Sequence, residues 1–270
     1  KHKVLTYPRT DSRHLPEDYL QTSMQTLECL SENANYQTFA LQILKNRWVH
    51  PNKRIFDNKK ISDHFAIIPT TQSPKNLSEP EQKLYDLVAK RFMAVFFPAA
   101  EFLVTTRFTE VAGHRFKSEG RIMTKPGWLA IYGREMPASG KESENDRILV
   151  PVSQGEKVLA DKVLVEELAT KPPARYSEAT LLSAMEGAGK FVEDELREAM
   201  QGKGLGTPAT RAAIIEGLLT EKYLLREGRE LIPTPKAFQL MTLLKGLGVK
   251  ELTLPELTGE WEFKLSQMEK

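Results

Sequence analysis

The spacing of apolar residues changes twice along this chain, from a helical period to a strand period and back again. In the first region, residues 1–98, Pro16 and the two acidic residues after it are typical of the first turn of a helix. That helix is predicted to run to about Leu30. A second helix is predicted over Pro80–Phe97, where apolar residues keep helical spacing until Pro98 ends it. The first region is therefore predicted to be mainly helical.

The middle region is predicted to contain strands. Apolar and polar residues alternate over Phe102–Val111, and Gly113 marks a turn into a second strand at 115–118. The polar tract 135–147, with its Pro, Gly and Ser residues, predicts a surface loop. The strand-like segment ILVPV follows it at 148–152.

Helical spacing returns in the last region. Ser177 is a good N-cap for one helix, and Thr207, followed by proline, is a better start for a helix over 208–220. The segment 222–234 places Gly228 between two short apolar runs, as a β-hairpin does. Two helices followed by a hairpin form the pattern of a winged helix.

Composition narrows the class of protein further. Hydrophobic residues at 40% and charged residues at 27% argue against a disordered or membrane protein. The net charge of +2 argues neither for nor against nucleic-acid binding. The single cysteine, Cys29, excludes an internal disulfide and a cysteine-rich zinc site within these residues, which fits a reducing, cytoplasmic compartment. The opening residues KHKVLTYPRT lack the apolar core of a signal peptide.

The segment TYPRTDSRHLP near the start of the chain carries side chains suited to chemistry on a phosphate. Pro8 favours extended backbone at Tyr7, and residues two apart in an extended chain point to the same side, so Tyr7 and Arg9 are predicted to share a face. An ordinary tyrosine, with a pKa of about 10, is a poor nucleophile at neutral pH. Attack on a phosphate therefore needs deprotonation and a cation on the non-bridging oxygens, which Arg9 could supply.

The residues that follow this pair are suited to a turn. Thr10, Asp11 and Ser12 all favour turns through bonds between side chain and backbone. Asp11 could also hold Arg9 or Arg13 in place. From the residue types alone, a buried tyrosine beside a surface arginine is the preferred explanation, because tyrosines in turns before helices are common.

A second segment, SDHFAIIPT at 62–70, contains His64. A histidine of near-neutral pKa can donate to a phosphate or relay a proton. Pro69 prevents the apolar run before it from forming a helix interior. A lone histidine is usually structural, so His64 gains its interest from occurring together with TYPRTDS.

The two segments resemble, in order and spacing, signatures of the type IA DNA topoisomerases. In that family the tyrosine of the first signature takes a 5′-phosphate of single-stranded DNA covalently, and the arginine two places on assists. The proline after the tyrosine resembles the topoisomerase III branch, and the TDS that follows resembles bacterial members. The histidine of the second signature contacts the scissile phosphate region. The resemblance thus implies that the catalytic residues are Tyr7, Arg9 and His64.

Two later segments, KPPARYSEATLLSAME at 171–186 and GLGTPATRAAIIEGLL at 204–219, resemble the family's helical domain beside the active site. Thr207 would cap a helix whose free N–H groups face a phosphate. In the topoisomerase I branch an arginine stands at the position of Thr207, and Arg211 could substitute for it. The resemblance implies a groove for one DNA strand, with these DNA-binding residues: Asp11, Arg13, Arg175, Lys190, Thr207, Thr210 and Arg211.

The resemblance also implies a fold class. We expect an α+β, multidomain and mainly helical chain that forms part of a type IA topoisomerase toroid, with winged-helix-like (CAP-like) domains and a β-rich arch segment. The expected parts are a tyrosine-bearing helical domain at 1–98, a β-rich arch segment at 99–175 and a helical, winged-helix-like DNA-binding domain at 176–270.

Family members bind magnesium in a Toprim domain that precedes the tyrosine. In this chain Asp11, Asp57 and Asp63 are scattered, so no metal site is assigned to these residues. We therefore expect no cofactor within this chain, and magnesium only through a missing N-terminal part of the same polypeptide. The chain alone is expected to show no relaxation activity.

The implied activity is ATP-independent cleavage and rejoining of one DNA strand through a 5′-phosphotyrosine, with strand passage that relaxes or decatenates DNA. The implied partners are single-stranded DNA and the missing N-terminal part, with no membrane, at a cytoplasmic, nucleoid-associated location.

Two alternatives stay open. The first is a non-catalytic winged-helix module that binds DNA or a protein partner, with Tyr7 packed in a core and helix 208–220 contacting base edges. The second is an unrelated phosphodiesterase that uses Tyr7 and His64 with water and keeps no covalent adduct. The burial of Tyr7 separates the first alternative from a topoisomerase.

Overall fold

The computed structural model divides the chain into two compact units, Lys1–Glu167 and Leu168–Lys270. The predicted surface loop at 135–147 lies outside the described residues, and the division into three domains stays a prediction. The structure describes residues 2–61, 63–133, 149–200 and 203–268.

Both units combine helices with one β-hairpin. The elements of the first unit are α1 (Tyr19–Ser31), α2 (Gln37–Lys45), α3 (Glu79–Phe96), β1 (Glu101–Val111) and β2 (His114–Lys125), with 3₁₀ segments at Asn58–Lys60 and Gly127–Tyr132. The elements of the second unit are α4 (Glu178–Glu186), α5 (Asp194–Arg197), α6 (Arg211–Thr220), β3 (Leu224–Glu227), β4 (Glu230–Pro233), α7 (Pro235–Gly246) and α8 (Glu256–Met268), with 3₁₀ segments at Ala188–Phe191 and Lys250–Leu252.

The two helices predicted in the first region are confirmed. The first begins at Tyr19 because residues 16–18 form a turn, in which the Tyr19 N–H donates to the Pro16 carbonyl at 3.0 Å. The helix α3 begins after Ser78, whose N–H donates to the Glu81 carboxylate at 2.8 Å. That bond satisfies a backbone donor that the helix itself leaves free.

The core of the first unit lies between α1, α2 and α3. Fully buried side chains include Leu27 on α1, Ile43 on α2 and Met93 on α3. The same core buries apolar residues of two segments without regular secondary structure, namely Val4, Leu15, Phe56 and Ile68. These anchors hold the Tyr7 and His64 segments on the helices.

The hairpin of the first unit confirms the predicted strand and its turn. Val111 pairs with His114 across a tight turn in which Gly113 has a φ of +79°, a conformation that favours glycine. The second strand continues to Lys125 instead of ending near 118, because β2 pairs with β1 along its whole length. The strand-like assignment of ILVPV is wrong, since residues 149–152 are in no strand.

The second unit begins with α4, for which Ser177 is the predicted N-cap and accepts the Thr180 N–H at 3.2 Å. The hairpin β3–β4 turns at Gly228, as predicted. The predicted helix at 208–220 begins only at Arg211, because residues 207–210 form a turn.

Two buried tyrosines in the first unit lead to a prediction for alkaline stability. Burial raises the pKa of Tyr85 to about 12. Burial and then the Asp86 carboxylate raise the pKa of Tyr36 above its ordinary value. Since tyrosine in the unfolded chain ionises at about pH 10, the stabilising contribution of the neutral Tyr85 phenol is complete below that pH and is lost as the pH rises through about 12. The contribution of Tyr36 is likewise lost at alkaline pH.

We therefore expect the denaturant midpoint of the first unit to fall steeply above about pH 10. The Tyr85→Phe variant, which has no hydroxyl to ionise at this position, should lose stability less steeply. Denaturant titrations at intervals of half a pH unit test this difference. Equal pH dependence in the variant and the parent would contradict it.

Candidate active site

The candidate site lies where the segment 4–15 runs beside the segment 55–70. The Thr6 N–H donates to the Ile68 carbonyl at 3.0 Å, and the Ala66 N–H donates to the His14 carbonyl at 2.9 Å. A single antiparallel bridge joins Leu5 to Pro69. These bonds, together with the buried anchors described above, hold two distant parts of the sequence in one fixed arrangement.

Tyr7 and His64 are in contact at the surface of this arrangement. Their ring centroids are 4.5 Å apart, and the ring planes are inclined by 42°. Tyr7 is 51% exposed, and His64 is also exposed. The phenol can therefore be reached by a large substrate while its ring packs against the imidazole.

The charged residues of the same segment are also at the surface. Arg9, Asp11 and Arg13 are all exposed. The Arg9 guanidinium forms no hydrogen bond or ion pair with any residue that the structure describes, so it is available to a ligand. That it shares a face with the Tyr7 hydroxyl stays a prediction.

Four of the predicted DNA-binding residues lie at the surface of the second unit. Arg175 is exposed, with Nε 4.0 Å from the Glu230 carboxylate. Lys190 is exposed within the 3₁₀ segment Ala188–Phe191. Thr207 and Thr210 are exposed, and the Thr207 N–H donates to Thr210 Oγ1 at 2.9 Å. This bond lies inside the turn before α6, so the Thr207 side chain does not cap a helix that starts at 208.

Arg211 differs from these four because it is only 6% exposed. Its Nε donates to the Leu205 carbonyl at 3.0 Å, and its Nη2 donates to the Lys203 carbonyl. Gly204 lets this loop approach the end of α4, where an added Cβ would collide with backbone atoms of Met185 and Glu186. In this arrangement the guanidinium holds the loop, and a phosphate contact would require the loop to rearrange.

The sequence did not predict two sets of side-chain contacts, one in each unit. Arg226 on β3 forms ion pairs with Glu178 on α4 and Glu216 on α6, and no local pattern indicates them. The hydroxyls of Thr10 and Ser12 make the predicted turn bonds, accepting the N–H groups two residues on at 3.0 and 3.2 Å. Their further bonds to the His64 segment were not predicted.

The described residues contain no group of three or more His, Cys, Asp or Glu side chains arranged to hold a metal ion. The described residues therefore do not themselves provide a site for the magnesium that the resemblance places in a Toprim domain. No helix among the described residues has the length and apolarity needed to cross a membrane.

An accessible tyrosine packed against a histidine, with an exposed arginine two residues away in the sequence, offers groups suited to covalent attack on a phosphodiester. The family model described as DNA topoisomerase matches residues 1–270, and the chain therefore belongs to that family. The chemistry that these groups suit agrees with this assignment.

Individual relatives support the assignment. The chain is 40% identical over 273 residues to DNA topoisomerase 3 of Bacillus subtilis strain 168, covering 98% of this chain and 37% of that protein. It is also 40% identical over 276 residues to DNA topoisomerase 3 of Bacillus licheniformis, covering 100% of this chain and 37% of that protein. The chain thus spans little more than a third of the length of these relatives.

A solved structure shows the same fold. Full-length topoisomerase I from Thermotoga maritima superposes with a TM-score of 0.61 at 23% identity, covering 98% of this chain and 38% of that chain. The predicted family and the mixed helix and sheet fold are therefore confirmed. The non-catalytic winged-helix alternative is not favoured, and it also required a buried Tyr7, whereas Tyr7 is half exposed.

Proposed function

We propose that this chain supplies the nucleophile of a type IA topoisomerase and that Tyr7 is that nucleophile. The Tyr7 phenolic oxygen loses its proton and forms a bond to the phosphorus of a DNA phosphodiester. The bond from phosphorus to the 3′-oxygen breaks, and that oxygen takes up a proton and leaves as a 3′-hydroxyl. The reverse reaction reseals the strand. Because the ester conserves the energy of the broken bond, no ATP is needed.

The contact between Tyr7 and His64 is the observation that carries this proposal. It places an imidazole, which can donate to a phosphate or relay a proton, beside an accessible phenol. Arg9 lies two residues from Tyr7 and can neutralise the charge that develops on the non-bridging oxygens. Tyrosine, histidine and arginine thus supply a nucleophile, a proton-transfer group and a cation.

The proposed substrate of the complete polypeptide is single-stranded DNA. In the second unit the helices α4 and α6 precede the hairpin β3–β4, and we propose that these elements form a winged-helix-like DNA-binding part. We propose that the hairpin β1–β2 is one part of an arch. We propose that the metal-binding part belongs to the remaining length of the polypeptide. The cytoplasmic, nucleoid-associated location is part of the same proposal.

A labelled oligonucleotide tests the proposed chemistry. In the full-length polypeptide with magnesium, an oligonucleotide labelled at its 3′ end should transfer its label to the protein, because the fragment that carries the 5′-phosphate stays attached. An oligonucleotide labelled at its 5′ end should instead release a free labelled fragment that ends in a 3′-hydroxyl. Label retention from the 5′ end, or hydrolysis without any adduct, would contradict the proposal.

The salt dependence of DNA binding distinguishes an arginine that contacts phosphate from one that holds a loop. With about 3–5 phosphates neutralised, the slope of log affinity against log salt for a single strand should be about −2 to −3.5. Replacing the exposed Arg175 by alanine should reduce the magnitude of the slope by about 0.7. Arg211→Ala should leave the slope unchanged, because its guanidinium donates to backbone carbonyls.

The same variants differ in their expected stability. Arg211→Ala removes two part-buried hydrogen bonds to backbone carbonyls and should destabilise the second unit by about 2 kcal/mol, whereas Arg175→Ala should cost little. Fluorescence titrations of single-stranded and duplex oligonucleotides over a salt series measure the slope, and denaturant titrations measure the stability. A reduced slope for Arg211→Ala would show that the loop rearranges and that Arg211 contacts DNA. A preference for duplex would contradict the single-strand proposal.

A further inference from the structure

Side-chain hydroxyls connect the segment 4–15, which contains Tyr7, to the segment 55–70, which contains His64. Each of three hydroxyls donates a hydrogen bond to a backbone carbonyl of the facing segment. These bonds are Thr6 Oγ1 to Ala66 O at 3.1 Å, Thr10 Oγ1 to His64 O at 2.9 Å, and Ser12 Oγ to Lys60 O at 2.9 Å.

Thr10 is distinguished within this set by its acceptor. Its hydroxyl donates a hydrogen bond to the backbone carbonyl of His64, the residue whose ring packs against Tyr7. The same oxygen accepts the Ser12 N–H at 3.0 Å, so the hydroxyl both donates and accepts and its orientation is fixed. His64 itself lies in no helix or strand, and the Thr10 bond therefore holds a backbone position that no regular ladder holds.

We infer that Thr10 is a positioning residue for strand cleavage, whose hydroxyl fixes the His64 backbone and thereby holds the imidazole against the Tyr7 ring. The inference rests on the proposed function of Tyr7 and His64. Thr10 acts through His64 and forms no bond to the reacting atoms. Because proton transfer and attack depend on geometry, a small displacement of the imidazole reduces the rate even when the fold is intact.

A double-mutant cycle in the full-length polypeptide tests this inference. Thr10→Val keeps the shape of the side chain and removes only the hydroxyl. We expect it to slow single-turnover formation of the covalent adduct by roughly 3- to 10-fold, the effect of one net hydrogen bond. Thr10→Ser keeps the hydroxyl and should restore the rate. In a His64→Ala background, Thr10→Val should cause no further loss, because the group that Thr10 positions is already absent.

Ser12→Ala is the matched control. It removes a hydrogen bond from a side-chain hydroxyl of the same segment, but the acceptor of that bond is the Lys60 carbonyl and not the His64 carbonyl. The rate of adduct formation in Ser12→Ala should stay within about 2-fold of the parent rate. A change of that size is no larger than the effect of an ordinary surface substitution on stability. Thermal unfolding of every variant shows whether a rate loss comes from unfolding.

A second readout does not require activity. The Tyr7 ring, 4.5 Å from the His64 ring, shifts the imidazole proton resonances by its ring current. In Thr10→Val these resonances should move toward their positions in a Tyr7→Leu reference, and in Thr10→Ser they should return.

The outcomes separate the inference from the proposed function. Rate losses that add in the double variant, or unchanged resonances in Thr10→Val, would overturn the role of Thr10. A normal rate in His64→Ala would also overturn it, since Thr10 would then have nothing to position. An adduct that survives Tyr7→Phe would instead refute the proposed nucleophile, while the resonances would still report how Thr10 places the two rings.

Discussion

Tyr7→Phe in the full-length polypeptide is expected to abolish the covalent adduct with DNA. The variant lacks the only atom of this side chain that can bond to phosphorus, so the loss should be complete within the limit of detection. The phenyl ring can keep the contact with His64, in which the parent ring centroids are 4.5 Å apart. Single-strand affinity should therefore stay within a few-fold of the parent.

Tyr19→Phe is the matched control for this prediction. The Tyr19 ring packs on Phe65, next to His64, with ring centroids 4.6 Å apart. Removing its hydroxyl tests whether any tyrosine close to the site can affect the adduct. Adduct yield from the 3′-labelled oligonucleotide, measured for both variants, should vanish for Tyr7→Phe and persist for Tyr19→Phe. A surviving adduct in Tyr7→Phe would mean that another residue is the nucleophile.

Local signals in the sequence were sufficient for several elements of the fold. Pro16 with its acidic neighbours, Ser177 and the glycines at 113 and 228 each determine a helix start or a turn through their own backbone preferences. These preferences act within a few residues and, at these positions, agree with the tertiary structure. The corresponding helices and hairpin turns were therefore predicted correctly.

Features that depend on a distant partner could not be predicted in the same way. The length of β2 is determined by its pairing with β1, and residues 149–152 have strand-like composition but lie in no strand. Arg211 has the sequence context of a phosphate ligand, yet its guanidinium bonds to carbonyls of a loop that precedes it. A guanidinium can donate to a phosphate or to a carbonyl, so its residue type alone cannot decide between them.

The contact between Tyr7 and His64 was predicted neither from local signals nor from a partner within the same element. Neither periodicity nor turn chemistry connects residues so far apart in the sequence, and only the resemblance to a family predicted that both belong to one site. The structure supplies the physical cause, because Val4 and Leu15 on one segment and Phe56 and Ile68 on the other enter the same core. The chemistry at the surface thus depends on apolar anchors beneath it.

The second large effect is expected at Arg9. Negative charge builds up on the non-bridging oxygens as the phenolate attacks, and one preorganised donor at such a position typically contributes about 3 kcal/mol. Arg9→Ala should therefore slow adduct formation by roughly 100-fold or more. Arg9→Lys should recover only part of this loss, because an ammonium group keeps the charge but lacks the planar fork of the guanidinium.

Arg91 supplies the control for Arg9, because it is an exposed arginine on α3 of the same unit. Arg91→Ala removes an equal charge, so it corrects for any general loss of electrostatic attraction to DNA. Saturating oligonucleotide separates binding from chemistry, since a charge used only for binding affects the half-saturating concentration and leaves the maximal single-turnover rate unchanged. If Arg9→Ala lowers affinity but reaches the parent's maximal rate, Arg9 binds DNA without stabilising the transition state, and its predicted pairing with the Tyr7 hydroxyl is wrong.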